Sequence, residues 1–269
     1  MRLVWGLLLS TALLAADDPN APTPEFKALE SSVHDPGQGW QALLPGGRLD
    51  QFQSQDYGRF PTRPFDWQTP VVVTLDPDEP AKLRVEPFQN RAGGAQPAIA
   101  TNQDSRTANL VSKESFSDLD VYLEFAVPQR SNAGVCLMGN YEIQLFDSFG
   151  KPDAELRYSD SGGIYAFPGK KGRWGGQPPR TNASRPAGEW QSLRIWFHAP
   201  RYGADGKKIV NARFVKIELN GVEIHRDYEL MKSTRAREPW PERAAAPLLL
   251  QGDHGPAAYR NVYVRPLER

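Results

Sequence analysis

Apolar and polar residues alternate with a period of two along this chain, and no other feature constrains its fold as tightly. In Val121-Tyr122-Leu123-Glu124-Phe125-Ala126-Val127 the odd positions are apolar. Tyr141, Ile143 and Leu145 share one face of a run whose other face carries Glu142, Gln144 and Phe146. Leu193, Ile195 and Phe197 alternate with Arg194, Trp196 and His198, and Val215, Ile217 and Leu219 with Lys216 and Glu218. Successive side chains of an extended strand point to opposite faces, so each run predicts a strand with one face on a core. Asn220-Gly221 separates Leu219 from Val222-Glu223-Ile224; both residues tolerate positive φ, which predicts a hairpin there. Val262 and Val264 mark a last strand. Helical spacing of apolar residues is scarce, and 24 prolines and 23 glycines interrupt the chain too often for long helices. Many short strands without intervening helices predict an all-β fold, an antiparallel β-sandwich or jelly roll.

The first residues follow another logic. Met1-Arg2 is followed by an apolar run from Leu3 to Leu14, then Ala15-Ala16 before Asp17-Asp18. A charged start, a short apolar stretch and small residues at its end predict a secretory signal peptide over residues 1–16. The run is shorter than the roughly 20 apolar residues that span a bilayer, so no integral membrane span is expected after cleavage. A periplasmic or secreted location follows. Residues 17–38, rich in Pro, Asp and Ala, read as a linker with one helical turn at Pro24–Ser31, and residues 39–269 as one domain. The formal net charge is zero and no basic run stands out, which argues against a nucleic-acid partner. Cys136 is the only cysteine, so no internal disulfide forms; within Val135-Cys136-Leu137 it reads as a small buried hydrophobe.

The faces opposite the aliphatic ones carry Tyr122, Glu124, Glu142, Gln144, Phe146, Arg194 and Trp196. Aromatic rings beside hydrogen-bonding groups suit a sugar, which stacks its C–H faces and pairs its hydroxyls. A plain solvated sheet face is the other reading.

Six phrases are more specific. They are Gly39-Trp40 with Leu43-Leu44-Pro45-Gly46-Gly47-Arg48-Leu49-Asp50; Ser131-Asn132-Ala133-Gly134-Val135; Tyr141 to Ser148; Gly162-Gly163-Ile164-Tyr165; Pro186-Ala187-Gly188-Glu189-Trp190; and Leu250-Gln251-Gly252-Asp253-His254-Gly255 running into Tyr259-Arg260-Asn261-Val262. In this order they resemble the bacterial 3-keto-disaccharide hydrolase domain, over roughly Gly39 to Leu267. The resemblance implies a concanavalin A-like jelly roll, related in shape to laminarinase-type glycosidases, and an exported protein. It also implies action on an oxidised di- or oligosaccharide, a glycoside whose C3 hydroxyl has become a ketone. The family often places Arg before the Gly of the phrase that precedes the Tyr-Glu-x-Gln strand; Met138 stands there in this chain. The Pro-rich stretch Phe60–Ala100 matches the family's early strands poorly.

An ordinary glycosidase uses two carboxyl groups flanking the bond. Glu142 and Asp147 are five residues apart, an odd interval that puts them on opposite strand faces unless a bulge intervenes. A 3-keto sugar permits an easier route, because the ketone acidifies the C2 proton. That route needs a base, a donor or cation for the enolate oxygen, and an acid for the leaving group. Glu142 is the candidate base and His254 the enolate stabiliser or acid. Gln144 would orient a hydroxyl, and Asp147 would assist or order its loop. Arg260 would bind the ketone or pair with Asp253, itself a candidate substrate contact. Asp253-His254-Gly255 also reads as a plain tight turn. Tyr165 and the loop Arg173-Trp174-Gly175-Gly176, with Trp174, are candidates for a sugar-stacking wall; Trp190 reads as packing. Glu142, Asp147, Asp253 and His254 are oxygen and nitrogen ligands, but no close metal-ligand spacing is present, so no metal is assigned and no cofactor is expected. A carbohydrate-binding module without catalysis, and a two-carboxylate glycosidase, are the competing functions.

Overall fold

A computed structural model of the chain describes residues 38–55, 64–89, 97–101, 107–234 and 240–269. The expected signal segment 1–16, the linker 17–38 (but for Gln38) and the helical turn at Pro24–Ser31 lie outside those residues. No helix among the described residues is long and apolar enough to cross a membrane.

The alternating runs build two antiparallel sheets. The larger holds β1 (Gln41–Ala42), β3 (Trp67–Leu75), β4 (Leu83–Pro87), β5 (Ala98–Thr101), β7 (Leu119–Ala126), β12 (Gln191–His198), β15 (Ala212–Leu219), β16 (Val222–Leu230) and β18 (Ala258–Pro266). Its order is β16-β15-β12-β7-β18-β5-β3-β4, with β1 also on β18. The smaller runs β2-β6-β17-β8-β9, made of β2 (Phe52–Gln55), β6 (Asn109–Phe116), β17 (Ala246–Leu250), β8 (Asn132–Leu137) and β9 (Tyr141–Phe146). Two short hairpins complete the set: β10 (Phe167–Gly169) with β11 (Gly172–Trp174), and β13 (Arg201–Tyr202) with β14 (Lys208–Val210). Hairpin neighbours (β3 with β4, β8 with β9, β15 with β16) lie side by side, but most adjacent strands are far apart in sequence, as in a jelly roll. The fold is the antiparallel β-sandwich that the alternation predicts.

The inner faces meet in one apolar core. Val121, Leu123 and Phe125 of β7 and Leu193, Ile195 and Phe197 of β12 face Tyr141, Ile143 and Leu145 of β9, all fully buried. Asn220 and Gly221 turn β15 into β16 with φ of 52° and 81°, the left-handed pair expected of a tight hairpin. The Asn220 amide also ties three segments together, accepting from the Ser192 N–H and donating to Ala183 and Gln191.

The Pro-rich stretch makes the edge of the larger sheet. β3 pairs with β5 and β4, but its register with β5 shifts between Gln68 and Val71. That irregularity breaks the period of two, which is why the sequence pattern did not reveal the strand. Met138, where the family often has Arg, is 3 % exposed and packs into the core from the β8–β9 turn.

The outward residues belong to two different surfaces. Tyr122, Glu124, Arg194 and Trp196 stand on the outer face of the nine-stranded sheet, and Glu142, Gln144 and Phe146 on that of the five-stranded sheet. The single sugar-facing set suggested by the sequence is thereby divided.

Candidate active site

The site is built on β9, where regular alternation aims Tyr141, Ile143 and Leu145 inward and therefore Glu142 and Gln144 outward. Outward does not mean exposed: Glu142 is 8 % and Gln144 2 % accessible. The backbone groups of Glu142 are satisfied off the sheet. Its N–H donates to Thr234 Oγ1 (3.1 Å) and its carbonyl accepts from the Tyr165 N–H (3.1 Å). Gln144 pairs likewise with the Gly162-Gly163 loop, its N–H donating to the Gly163 carbonyl and its own carbonyl accepting from Gly162.

The Glu142 side chain receives one hydrogen bond, from Gln251 Nε2 to Oε1 at 3.0 Å. Burial pushes its carboxyl above the usual carboxylate range, opposed in part by His254, the Gln251 hydrogen bond and Arg173. A carboxyl so placed is a stronger base than one in water once it has ionised. His254 is bound to its neighbour: Nδ1 and Asp253 Oδ1 are 2.6 Å apart. A carboxylate only accepts, so that nitrogen carries the proton and exchange with a ligand runs through Nε2. The Asp253 side chain is 5 % exposed and the His254 side chain 48 %, an anchored base with an accessible ring.

Arg173, on β11, closes the other side. Its Nη1 donates to the carbonyls of Ala166 (2.6 Å) and Thr234 (3.1 Å), and its guanidinium lies 4.4 Å over the Tyr165 ring. Tyr165 in turn meets Tyr158 edge-on at 5.3 Å, and burial raises its hydroxyl pKa while Arg173 lowers it. Trp174 is 45 % exposed on the same hairpin and packs on Phe167 at 5.0 Å.

Glu142, Gln144, Asp253, His254 and Tyr165 thus come together, with Trp174 on the adjoining hairpin. Asp147 and Arg260 do not join them. The β8–β9 register runs unshifted from Leu137↔Tyr141 to Asn132↔Phe146, so no bulge brings Asp147 round. Five extended residues separate it from Glu142 by roughly 16 Å along the strand, and its carboxylate accepts the Arg130 N–H. Arg260 does not pair with Asp253. It stands on the outer face of the nine-stranded sheet, bonded to Glu124 Oε2 (2.6 Å) and stacked 4.2 Å from the Trp190 ring, because Tyr259 beside it points into the core.

Sequence reasoning gave no role to Gln251, Thr234 or the Arg173 guanidinium. Strand parity carries the signal for Gln251: Leu248 and Leu250 are core residues, so Leu249 and Gln251 face out with Glu142. Thr234 comes from a segment with no alternation, and nothing local marks it. Cys136 is fully buried beside Val111 and Leu249, as a small hydrophobe would be. Among the described residues no three His, Cys, Asp or Glu side chains converge as metal ligands would.

Residues 39–265 match the 3-keto-alpha-glucoside-1,2-lyase-like domain, and the chain belongs to that family. Its function is therefore carbohydrate-active. Two solved structures from Parabacteroides distasonis ATCC 8503, each provisionally named a glycosyl hydrolase, share the fold. The first is 21 % identical with a TM-score of 0.56, covering 85 % of this chain and 84 % of the other. The second is 16 % identical with a TM-score of 0.50, covering 85 % and 99 %. A search of curated proteins found no match.

Proposed function

We propose that this member of the family is an exported enzyme that cleaves 3-keto-glycosides by elimination followed by hydration. The observation that carries the reading is the buried, singly hydrogen-bonded Glu142 carboxylate beside the Asp253–His254 pair and the Arg173 guanidinium. In the first step Glu142 takes the C2 proton and the C–H electrons move toward C3, making an enolate at the former ketone oxygen. Arg173 supplies the fixed positive charge that this oxygen needs. The enolate electrons then return, the C1–O bond breaks, and the leaving oxygen takes a proton from His254 Nε2, the ring passing from imidazolium to the neutral form that keeps its Nδ1 proton on Asp253. Water next adds across the C1–C2 double bond: His254 Nε2 takes a proton from the water, hydroxide bonds to C1 and Glu142 returns its proton to C2, which completes a net hydrolysis with both side chains restored. The family description names a lyase, the elimination half of this sequence.

One carboxylate suffices for this route. The placement of Asp147 removes the pair that direct displacement would use. The test is incubation with disaccharides and their 3-keto forms, with products identified by mass. Release of monosaccharide from the keto forms alone is expected. Cleavage of unoxidised sugars at the same rate would overturn the reading, as would tight binding of unmodified glucans with no product from any keto-sugar.

A further inference from the structure

The row of residues that crosses β9, β8 and β17 beside Glu142 has a glycine at its centre. Gly134 stands opposite Gln144 in the register of β8 and β9, and its carbonyl accepts the Gln251 N–H from the other side. Because the N–H and C=O of Gln144 both bond to the Gly162-Gly163 loop, Gln144 and Gly134 form a non-hydrogen-bonded pair. Such pairs bring their Cα atoms to about 4.5 Å. A Cβ on Gly134 would lie 3.0 Å from Gln251 Oε1 and 3.0 Å from Glu142 Oε1. Its absence leaves a methyl-sized cradle between the amide of one residue and the carboxylate of the other.

Two acceptors at this row are unsatisfied. Gln144 uses Nε2 on Asn132 Oδ1 (2.6 Å) and Gln251 uses Nε2 on Glu142 Oε1 (3.0 Å). The Oε1 atom of each is buried with no hydrogen-bond partner among the described residues, on side chains of residues only 2 % and 4 % exposed. A buried acceptor left unpaired is destabilising, a cost removed by a ligand that brings a donor.

We infer that the Gly134 cradle is a specificity subsite that reads the hydroxyl on the carbon whose proton Glu142 removes, the hydroxyl donating to Gln251 Oε1. The choice of carbon rests on the reaction proposed above; the demand for a donor rests on the geometry alone. A hydrogen and a hydroxyl on one carbon are a single bond angle apart, and the base and the acceptor border one small space. Gln144 Oε1 accepts from a second donor in the same pocket.

The experiment compares methyl 3-keto-α-glucoside with its 2-deoxy analogue, which keeps the ketone and the C2 protons, in the wild type and in Gly134→Ala. Gly134 lies outside the left-handed region, so alanine is compatible with its backbone. In the wild type, loss of the hydroxyl should lower kcat/KM about 10- to 100-fold, the cost of leaving one buried acceptor unpaired. In Gly134→Ala the methyl occupies the cradle and the two substrates should be handled alike. Equal discrimination in both proteins would overturn the inference. Calorimetric binding of the same two sugars reads the subsite even if neither is turned over, which separates its failure from failure of the reaction. Should Gly134→Ala not fold, Gln251→Met removes the same acceptor at similar length. Binding of magnesium, calcium or manganese that is lost in the variant and required for discrimination would also overturn it, making these oxygens ligands of a cation.

Discussion

Both outer faces of the sandwich bury a carboxylate, and they treat it in opposite ways. On the nine-stranded sheet Asp120 is completely buried, yet Arg194 bonds both its oxygens (3.0 and 2.8 Å) and Arg265 adds a third contact at 3.0 Å. Beside it Glu124 takes hydrogen bonds from Arg260, Asn261 and Tyr122. The cations are themselves stacked: Arg265 over Trp40 at 4.4 Å, Arg194 over Trp196 at 4.0 Å and Arg260 over Trp190 at 4.2 Å. On the five-stranded sheet, among the described residues, Glu142 receives one amide and two neighbouring amide oxygens find no partner, and burial holds the carboxyl above its usual range. The first face saturates its carboxylates, although the buried Trp40 indole N–H beside them finds no hydrogen-bond partner among the described residues; the second leaves a carboxylate sparsely bonded and two amide acceptors unmet there. Each face buries a carboxylate, so what separates them is how many donors that carboxylate receives.

The strongest break in this comparison is Glu142→Gln. Turnover of a 3-keto-disaccharide should fall about a thousandfold, within the range for losing a general base, while the fold persists. Because the folded state holds this proton more tightly than the unfolded chain, ionisation of Glu142 costs stability. The cost is absent below the unfolded pKa and grows as pH rises toward the folded one. The variant should therefore have a higher melting temperature than the wild type at neutral pH, and the gain should vanish in acid. A lower melting temperature with full activity would refute both halves.

The opposite face predicts the opposite result. Asp120→Ala strands two partly buried arginines and should cost about 3–5 kcal/mol, seen as a lower denaturant midpoint. The kcat/KM of the folded fraction should stay at the wild-type value.

Acid sharpens the contrast from beneath the site. His225 is 3 % exposed, donates Nε2–H to the Gly162 carbonyl at 2.8 Å, and has its pKa lowered by burial from 6.5 to about 4. Its folded pKa is depressed, so the stability it contributes is whole above 6.5 and is lost as pH falls from 6.5 toward 4, by about 3 kcal/mol. Gly162 carries the loop that pairs with Gln144, so hydrogen exchange should show that loop opening before the nine-stranded sheet. Flat stability across this interval would show that His225 is not buried as a neutral ring.

The mildest test exchanges two arginines. Arg173→Ala should lower kcat about a hundredfold, the usual effect of losing one charge-stabilising donor. Arg260→Ala should leave kcat unchanged and cost about 1–2 kcal/mol of stability through Glu124 and Trp190. The reverse pattern would move the site to the other face.

Much of this was legible in residue order. Alternation located β7, β9, β12 and β18 with the correct face inward, and it placed Glu142 and Gln144 outward together, since parity along a strand is a local property. In β15 it held for Ile217 and Leu219, but a register shift puts Phe214 rather than Val215 in the core. The odd interval to Asp147 already argued against a carboxylate pair, and the unshifted register agrees. Alternation did not reveal β3, whose bulge upsets the period, and it gave no signal for Thr234, which reaches Glu142 from a segment without periodicity.

Sequence by itself determined that this chain makes strands, which side of each strand meets the core, and through its ordered phrases which family it joins. Only the tertiary structure decided which outward residues share a surface. Period two states that two side chains leave the core, but two sheets have two outer faces, and the assignment of strands to sheets depends on contacts between residues far apart in the chain. Tyr122 and Glu142 read alike along their strands. Pairing across β7, β12 and β18 put the first into a ladder whose carboxylates are bonded by arginines, and pairing across β9, β8 and β17 left the second beside Gly134 and two amide oxygens with no partner among the described residues.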